Sequence, residues 1–370
     1  MESIVSLFLT ILMYTWWIIV PVLLFLAIQH FRKRQWIEHQ NYVLLRVSVP
    51  KENDKAPVAA EQMFAALHGI HRDSRSRFFE GSMQEHLGFE IASQGNRINF
   101  YVYVPDAQKS FVEGQIYAQY PKAAITKVED YVPATLGGKQ IAETELKLVR
   151  KDAYPIKTFL NFEDVDPLSG ITAVLSDLKE GEEVVQILAR PVDDRWRSKG
   201  EVELKRLQGG GSGVAGSVSG FFGELFRAAT APPAAEGAKP QAPQPVQVDE
   251  AISSGLKEKS AKLGYETKIR IVAVSDSAAA ARNRLNSAVG AFKQYNTTNL
   301  NGFTGGKVVT KAEKALPAYR SRVFMGHGPV LNIEELASIF HLPNTSVETP
   351  TISWTASSKG EPPENLPLTA

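Results

Sequence analysis

Residues 86–106 have the sequence HLGFEIASQGNRINFYVYVPD, and this stretch decides the predicted fold. Residues 86–93 and 97–104 are two strand-like runs, rich in apolar, aromatic and β-branched residues. The Gln-Gly-Asn sequence at 94–96 separates the runs and predicts a hairpin turn. Asp106 follows as a suitable N-cap for a helix that extends to about Tyr120.

Elements on both sides of this hairpin complete a βαββαβ order. Residues 42–49 are rich in Val and Leu and predict a strand, and residues 57–70 carry apolar side chains at mostly helical spacing. Residues 123–132 form a further strand after the second helix. This order of elements is that of a ferredoxin-like α/β sandwich, and we predict one such module over residues 41–135.

The same order is repeated in the second half, which predicts a second ferredoxin-like module over residues 136–330. Its four strands are expected in one antiparallel sheet despite a long insertion, because each doubling of loop length costs only about 0.6 kcal/mol. The predicted elements are strand 141–150, a helix that begins at Pro167, strand 183–191, strand 266–274, a helix capped by Asp276 and a short strand near 307–310.

The predicted insertion covers residues 193–264. Charged helical segments flank a linker at 208–248, whose Gly/Ser-rich and Pro/Ala-rich composition is typical of a flexible connection. Inside the linker, Phe221, Phe222, Leu225 and Phe226 form an apolar island. Contact with a bilayer or a partner helix and a loosely docked hydrophobic turn are both open interpretations of this island.

Residues 1–40 predict a transmembrane helix followed by a basic juxtamembrane segment. The run from Ile4 to Ile28 contains no charged residue, and its 25 positions span roughly 37 Å as a helix, against a hydrocarbon core of about 30 Å. A cleaved signal peptide is disfavoured, because the run is long and no basic residue precedes it. The expected anchor residues are Ile4, Trp16, Trp17, Pro21, Ile28, Arg32, Lys33 and Arg34.

The basic residues after the run predict the orientation. Under the positive-inside rule they place the C-terminal side in the cytoplasm, so the sequence predicts a single-pass protein of the inner membrane with the lipid bilayer as a partner. The whole fold class is thus predicted as α+β, with an N-terminal transmembrane helix followed by two ferredoxin-like modules.

Composition excludes several classes of function. The 41 Lys and Arg residues nearly balance the 40 Asp and Glu residues, so no global field attracts nucleic acid and direct binding of it is not expected. The absence of Cys excludes disulfides, thiolate metal sites and a cysteine nucleophile.

Motifs for catalysis are incomplete. Gly302–Lys307 lacks the four-residue spacing and the following hydroxyl of a phosphate-binding loop, and the Gly211–Gly216 match to GxGxxG lies in linker composition. His68 and His71 have no acidic or Cys partner at ligand spacing. We therefore predict no catalytic, cofactor-binding or metal-binding residue, and no enzyme.

The C-terminal part, residues 331–370, is predicted as a short helix and a Pro-rich tail. Its sequence LNIEELASIFHLP at 331–343, followed by VETP at 347–350, resembles the segment before the motor domain in type IV secretion and conjugation ATPases of the HerA/FtsK-like class. Upstream, VQILARP at 185–191, Trp196-Arg197 and Asp166-Pro167-Leu168 are similar to the non-catalytic N-terminal region of those proteins. The chain departs from the family because no ATPase motor follows.

The resemblance implies a non-enzymatic accessory or assembly module of a translocation system that docks a separate HerA/FtsK-like ATPase. Two alternatives remain: a self-assembling scaffold that forms a homo-oligomer without a role in DNA translocation, and a hydrolase. The helix is expected to contact the ATPase, although Leu336, Ile339 and Phe340 fit core positions equally well. The candidate partner-binding residues are Glu334, Glu335, Ile339, Phe340 and His341.

Overall fold

The computed structural model describes residues 2–38, 40–75, 77, 82–163, 165–176, 181–208 and 249–355. The predicted linker lies outside the described residues apart from its first position, as do the apolar island Phe221–Phe226 and most of the predicted tail. The backbone of the first helix is described, but the side chains of Ile4, Lys33 and Arg34 are not.

The first half of the chain follows the predicted order of elements. Gly95 and Asn96 connect its hairpin with positive φ angles of 55° and 61°, which is the backbone of a type I′ turn. The elements are α1 (Glu2–Glu38), β1 (Tyr42–Ser48), α2 (Pro57–Leu67), β2 (Leu87–Gln94), β3 (Arg97–Pro105), α3 (Lys109–Gln119) and β4 (Ala124–Val128).

The second half adds helices from the insertion. Residues 320–324, which their composition favours as a strand, instead contain the end of a helix, and the short strand expected near 307–310 lies at 303–305. The elements are β5 (Gln140–Leu148), α4 (Pro167–Ser176), β6 (Glu182–Pro191), α5 (Ser198–Leu207), α6 (Glu250–Ala261), β7 (Gly264–Ser275), α7 (Ala278–Ala291), β8 (Phe303–Gly305), α8 (Ala312–Ser321), β9 (Val330–Asn332) and α9 (Ile333–Ile339).

All nine described strands belong to one sheet. Its order is β4-β1-β3-β2-β6-β7-β5-β8, with β9 paired to the other end of β7, and every ladder is antiparallel. The prediction that strands 183–191 and 266–274 lie in one antiparallel sheet is confirmed, and β6 and β7 are neighbours that pair over ten residues. The halves are not separate modules, since β2 and β6 join them by an eight-residue ladder from Leu87↔Ala189 to Gln94↔Glu182.

Helices cover the inner face of this sheet. Side chains of α2, α3, α4, α7 and α9 pack there with alternate strand residues in one apolar core. The outer face is covered by α8 and by residues around Tyr131 and Val132, over a smaller apolar cluster. Several charged and amide side chains are also buried on this outer face, among them Glu90, Gln186 and Arg270.

The predicted fold class is wrong in its N-terminal part. Among the residues that the structure describes, no helix is both long enough and apolar enough to cross a membrane. The helix does not end with the apolar run, because α1 continues through the charged residues that follow it, as far as Glu38. The predicted anchor residues Trp16, Trp17, Pro21, Ile28 and Arg32 lie on this helix. The chain is described as an α+β protein with a nine-stranded antiparallel sheet.

Candidate functional site: a two-part cleft at the junction of the halves

A buried ion network fixes one wall of a cleft on the outer face of the sheet. Arg322 ends α8 in the left-handed region (φ 52°) and only 1% of its side chain is exposed. Its Nε donates to Glu90 Oε1 at 2.8 Å, and its Nη1 and Nη2 donate to the Asp130 carboxylate at 2.9 Å. Because each buried charge has a partner of opposite sign, the network holds the segment after α8 against strand β2.

The network extends across the junction of the two halves. Gln186 on β6 donates from Nε2 to Glu90 Oε1 at 2.7 Å and accepts from Arg270 Nη1 on β7 at 2.6 Å. Arg270 also forms an ion pair with Glu143 on β5, with 2.8 Å between nitrogen and oxygen. A chain of polar contacts therefore links β2, β6, β7 and β5 beneath α8, where Gln186 and Arg270 also donate to backbone carbonyl oxygens of that helix.

His86 forms the floor of the first part of the cleft, a cavity of about 280 Å³. Burial lowers the pKa of His86 to about 4, so the imidazole is neutral near pH 7. Its Nε2 lies 2.7 Å from the carbonyl oxygen of Arg322 and donates to it, which leaves Nδ1 to accept from the Tyr42 hydroxyl at 3.3 Å. His86 thus connects the network to the cavity without adding charge.

Aromatic rings form the sides of this cavity. Tyr42 and Tyr103 stack with ring centroids 4.6 Å apart, and burial raises the pKa of Tyr103 to about 12, so its hydroxyl stays protonated. Phe324 lies under the Arg190 guanidinium at 4.2 Å. Trp36, at the end of α1, completes the lining on the opposite side. This part of the cleft is therefore mainly aromatic and uncharged.

Exposed apolar side chains form the rim. Met325 is 72% exposed and Val323 is 38% exposed, although both belong to the segment that the ion network holds in place. Gly326, at φ +67°, turns the chain after them, and its carbonyl oxygen accepts from Arg190 Nη2 at 3.1 Å. An exposed methionine beside an aromatic cavity is typical of surfaces that accept apolar groups of varied shape.

Arginines define the second part of the cleft, a cavity of about 420 Å³ that shares Met83, Gln84 and Arg190 with the first. Arg190 pairs with Glu266 at 2.7 Å, and Arg195 pairs with Asp193. Arg77 has no carboxylate partner among the described residues, where its Nη2 donates to Ser74 Oγ at 2.9 Å and its buried Nε has no acceptor. The second part therefore carries surplus positive charge.

The electrostatics of Arg77 are unfavourable in the free protein. Burial lowers the pKa of its guanidinium, and the nearby charge of Arg190 lowers it further. The charge of Asp193 acts in the opposite direction and raises this pKa, and the charge of Arg195 lowers it by a smaller amount. An anionic group bound between these cations would relieve their mutual repulsion.

The predicted partner-binding helix is located elsewhere and is mostly internal. Ile339 and Phe340 are core residues of the inner face, and Glu335 has no exposed surface. Glu335 forms a capping box with Asn332 and pairs with Lys259 of α6 at 2.9 Å. These side chains are not available to a partner in this conformation, because the helix packs its apolar face into the fold.

The two remaining candidates of that helix also have partners within the chain. His341 is fully buried, with Nδ1 2.8 Å from the Ala337 carbonyl oxygen and Nε2 2.8 Å from Asp166 Oδ1. Glu334 pairs with Lys262 and is the only one of the five that keeps partial exposure. The similarity around Asp166 and residues 331–343 thus corresponds to two segments that meet in the core.

Sequence reasoning missed the cleft. Tyr42, His86, Arg190 and Phe324 are far apart in the sequence, and only the pairing of β2 with β6 brings their segments together. Arg77 lies in the charged stretch 72–77, and such a composition is typical of a solvated surface. The signal that could have been used is the polar face of strand β6, where Gln186 and Arg190 alternate with buried apolar residues.

Comparison with known families gives one match. The model of a family described as a domain of unknown function, DUF8128, matches residues 31–355, which include every element from β1 to α9 and all residues of the cleft. No curated protein matches the chain.

Proposed function

We propose that this chain, which belongs to the DUF8128 family, is a non-enzymatic assembly module that binds a partner protein at the two-part cleft. The observation that carries the proposal is the exposure of Met325 and Val323 above an aromatic cavity. Exposed apolar side chains on a braced segment favour binding, because little conformational entropy is lost when a partner covers them.

The organisation of the cleft supports binding rather than chemistry. His86 is neutral and has both ring nitrogens engaged, and two of the arginines, Arg190 and Arg195, are in ion pairs with Glu266 and Asp193. An apolar anchor pocket next to a polar, charged rim is the usual arrangement of a protein-binding hot spot.

The proposed partner is a translocation ATPase of the HerA/FtsK-like class. Support for this class comes from the resemblance of residues 331–350 and 185–191 to the segments that accompany such motors. The contact is assigned to the cleft rather than to α9, because α9 is committed to the core. The proposed role is to position the motor, which supplies all nucleotide hydrolysis.

Site-specific photocrosslinking in the host cell tests this proposal. A benzoylphenylalanine introduced at Met325 should crosslink to a protein that carries a Walker A motif and whose gene neighbours that of this chain. The matched control is the same photoreactive residue at Val202, which is 63% exposed on α5 and outside the cleft. Crosslinking at 325 and not at 202 is the expected result.

Other products of the same experiment would favour the alternatives. A crosslink between two copies of this chain would favour the self-assembling scaffold. Equal crosslinking at both positions would contradict a specific role for the cleft. ATP hydrolysis by the purified chain, with no motor present, would contradict the non-enzymatic assignment.

A further inference from the structure

Met325 is the most exposed large apolar side chain among the residues that the structure describes. It is 72% exposed, and it follows Phe324 on the rim of the aromatic part of the cleft. The chain contains no Cys, so the thioethers of its five Met residues are its only sulfur atoms. An oxidant that reacts with sulfur can therefore act on this chain only at methionine.

The other methionine side chains that the structure describes are less accessible than Met325. Met63 of α2 is 2% exposed and belongs to the apolar core of the inner face. Met83 is half-buried between the two parts of the cleft. Because oxidation of a sulfur atom depends on its exposure, we expect Met325 to react first among these three residues.

We propose that Met325 is a reversible oxidation site, at which a hydroperoxide controls capture of the partner. The inference rests on the proposed function, because it assigns a regulation to the same cleft. In the forward step, the sulfur lone pair attacks one oxygen of hydrogen peroxide, and the S–O bond forms as the O–O bond breaks. The sulfur loses two electrons, and the hydroxide that leaves takes the proton of the new S–OH group and becomes water.

The reverse step needs a reductase and a thiol. Methionine sulfoxide reductases reduce the sulfoxide to the thioether. Two thiols supply the two electrons, and the products are a disulfide and water. Arg322 holds the segment against the sheet while the Met325 side chain stays exposed, so an enzyme can reach the sulfoxide without unfolding the chain.

Oxidation changes the chemistry of the rim at the point where a partner is expected to bind. A thioether is apolar and adapts to groups of varied shape, whereas the sulfoxide is polar and chiral. Docking of an apolar group would remove water from the sulfoxide oxygen, and burial of a polar group without a hydrogen bond is unfavourable. The Tyr42 hydroxyl beside the cavity already donates to His86. We therefore expect oxidation of Met325 to weaken capture about tenfold.

Peroxide treatment of the purified full chain tests the site without a partner. The sulfoxide fraction at each methionine is measured by peptide mass spectrometry over the time of exposure to hydrogen peroxide. Met325 should be oxidised at least about tenfold faster than Met63, and the two epimer-specific reductases with dithiothreitol should restore its thioether. Equal oxidation rates at Met325 and Met63 in the folded chain would overturn the proposal.

Photocrosslinking in the host cell tests the effect on capture. Benzoylphenylalanine at Val323, which is 38% exposed on the same rim, reports the partner while Met325 stays in place. Treatment of the cells with hydrogen peroxide should lower the crosslink yield about tenfold. Met325→Leu removes the sulfur and keeps an apolar side chain, so the ratio of its yield after peroxide to its yield before should stay near one. Met83→Leu, which retains Met325, should show the loss of the wild type.

Two results in cells would overturn this regulation and leave the proposed function intact. One is an equal crosslink yield before and after peroxide in the wild type, and the other is an equal loss in Met325→Leu, which would place the sensitive group elsewhere. The absence of any partner crosslink at 323 and 325 before peroxide would contradict the proposed function itself, and the regulation would fall with it.

Discussion

The buried charge of Arg322 determines the position of one wall of the cleft. Arg322 adopts a left-handed backbone conformation that is uncommon for a residue with a Cβ, and its guanidinium occupies the space between Glu90 and Asp130. Its carbonyl oxygen accepts the His86 hydrogen bond. Met325 follows three residues after this anchor, in the segment that leaves the end of α8.

The first prediction concerns this anchor. Arg322→Ala should lower the free energy of unfolding by about 3–5 kcal/mol at pH 7, because the Glu90 carboxylate would remain buried without its cation. The double variant Arg322→Met with Glu90→Gln should recover most of that loss. Urea unfolding measures both, and a loss below about 1 kcal/mol for Arg322→Ala would contradict the role of the network.

The second prediction concerns Glu183 on β6. Burial raises the pKa of this carboxyl to about 8, and its Oε1 has no hydrogen-bond partner among the described residues. A folded-state pKa above the unfolded value means that stability is full below about pH 4.5 and declines as pH rises to about 8. Glu183→Gln should remove this decline, which has a maximal slope of about 1.4 kcal/mol per pH unit. Urea unfolding from pH 4 to 9 measures how the free energy of unfolding depends on pH. The same dependence in the wild type and in Glu183→Gln would contradict the role of Glu183.

Elements follow local sequence closely where one face of a strand is buried. The runs predicted at 42–49, 86–93 and 97–104 match β1, β2 and β3 to within about one residue, because their apolar and β-branched composition is a local signal. Helix α8 was not predicted, and it contains Pro317, which cannot donate the backbone hydrogen bond of a helix interior. The burial of Ala315 and Tyr319 on the sheet offsets that loss.

The cleft could not be predicted in the same way. Residues of β1, β3 and β6 and of the segments before β2 and after α8 line its first part, and nothing local to Tyr42 or Phe324 indicates that they meet. Similarly, the capping box at Asn332 was consistent with a short helix, but the sequence did not determine whether that helix is exposed. The pairing of β2 with β6 forms the cleft, and the ion pair of Glu335 with Lys259 holds α9 inside the fold. Both contacts join residues that are far apart in the sequence.

The third prediction concerns the element α9. Ile339→Ala and Phe340→Ala should each reduce stability, by about 2–5 and 3–5 kcal/mol respectively, because both side chains fill the core under the sheet. Phe340 contacts Phe89 and Phe100, with ring centroids at 5.1 and 6.1 Å. Thermal unfolding gives the measurement. If the double variant had wild-type stability, core packing of Ile339 and Phe340 would be contradicted, and a role as surface contacts would be favoured.

At the scale of the whole molecule, the β2–β6 ladder makes the two halves one body. A network of polar contacts from Glu90 to Glu143 crosses that ladder on the outer face, and one apolar core continues across the inner face. The cleft lies on the outer face, and residues of both halves line it, so its shape depends on both halves. A binding site of this kind exists only when the halves are joined.

The fourth prediction follows from this continuity. Residues of the two halves should unfold in a single transition, because opening the β2–β6 ladder would expose both cores. Hydrogen exchange of the amides of β3 and β7 should report the same free energy of opening under native conditions. Different free energies for these central strands would indicate two independent modules.

The most direct test of the account is quantitative co-purification of the proposed partner, a protein with a Walker A motif, with variants of the rim. Met325→Asp places a carboxylate in the apolar part of the cleft, and it should reduce capture at least about tenfold, because that charge would lose its hydration on docking. Val202→Asp, which adds the same charge at an equally exposed site, should leave capture unchanged. Equal capture by the wild type and Met325→Asp, with melting midpoints that show both folded, would contradict the cleft as the site of partner binding.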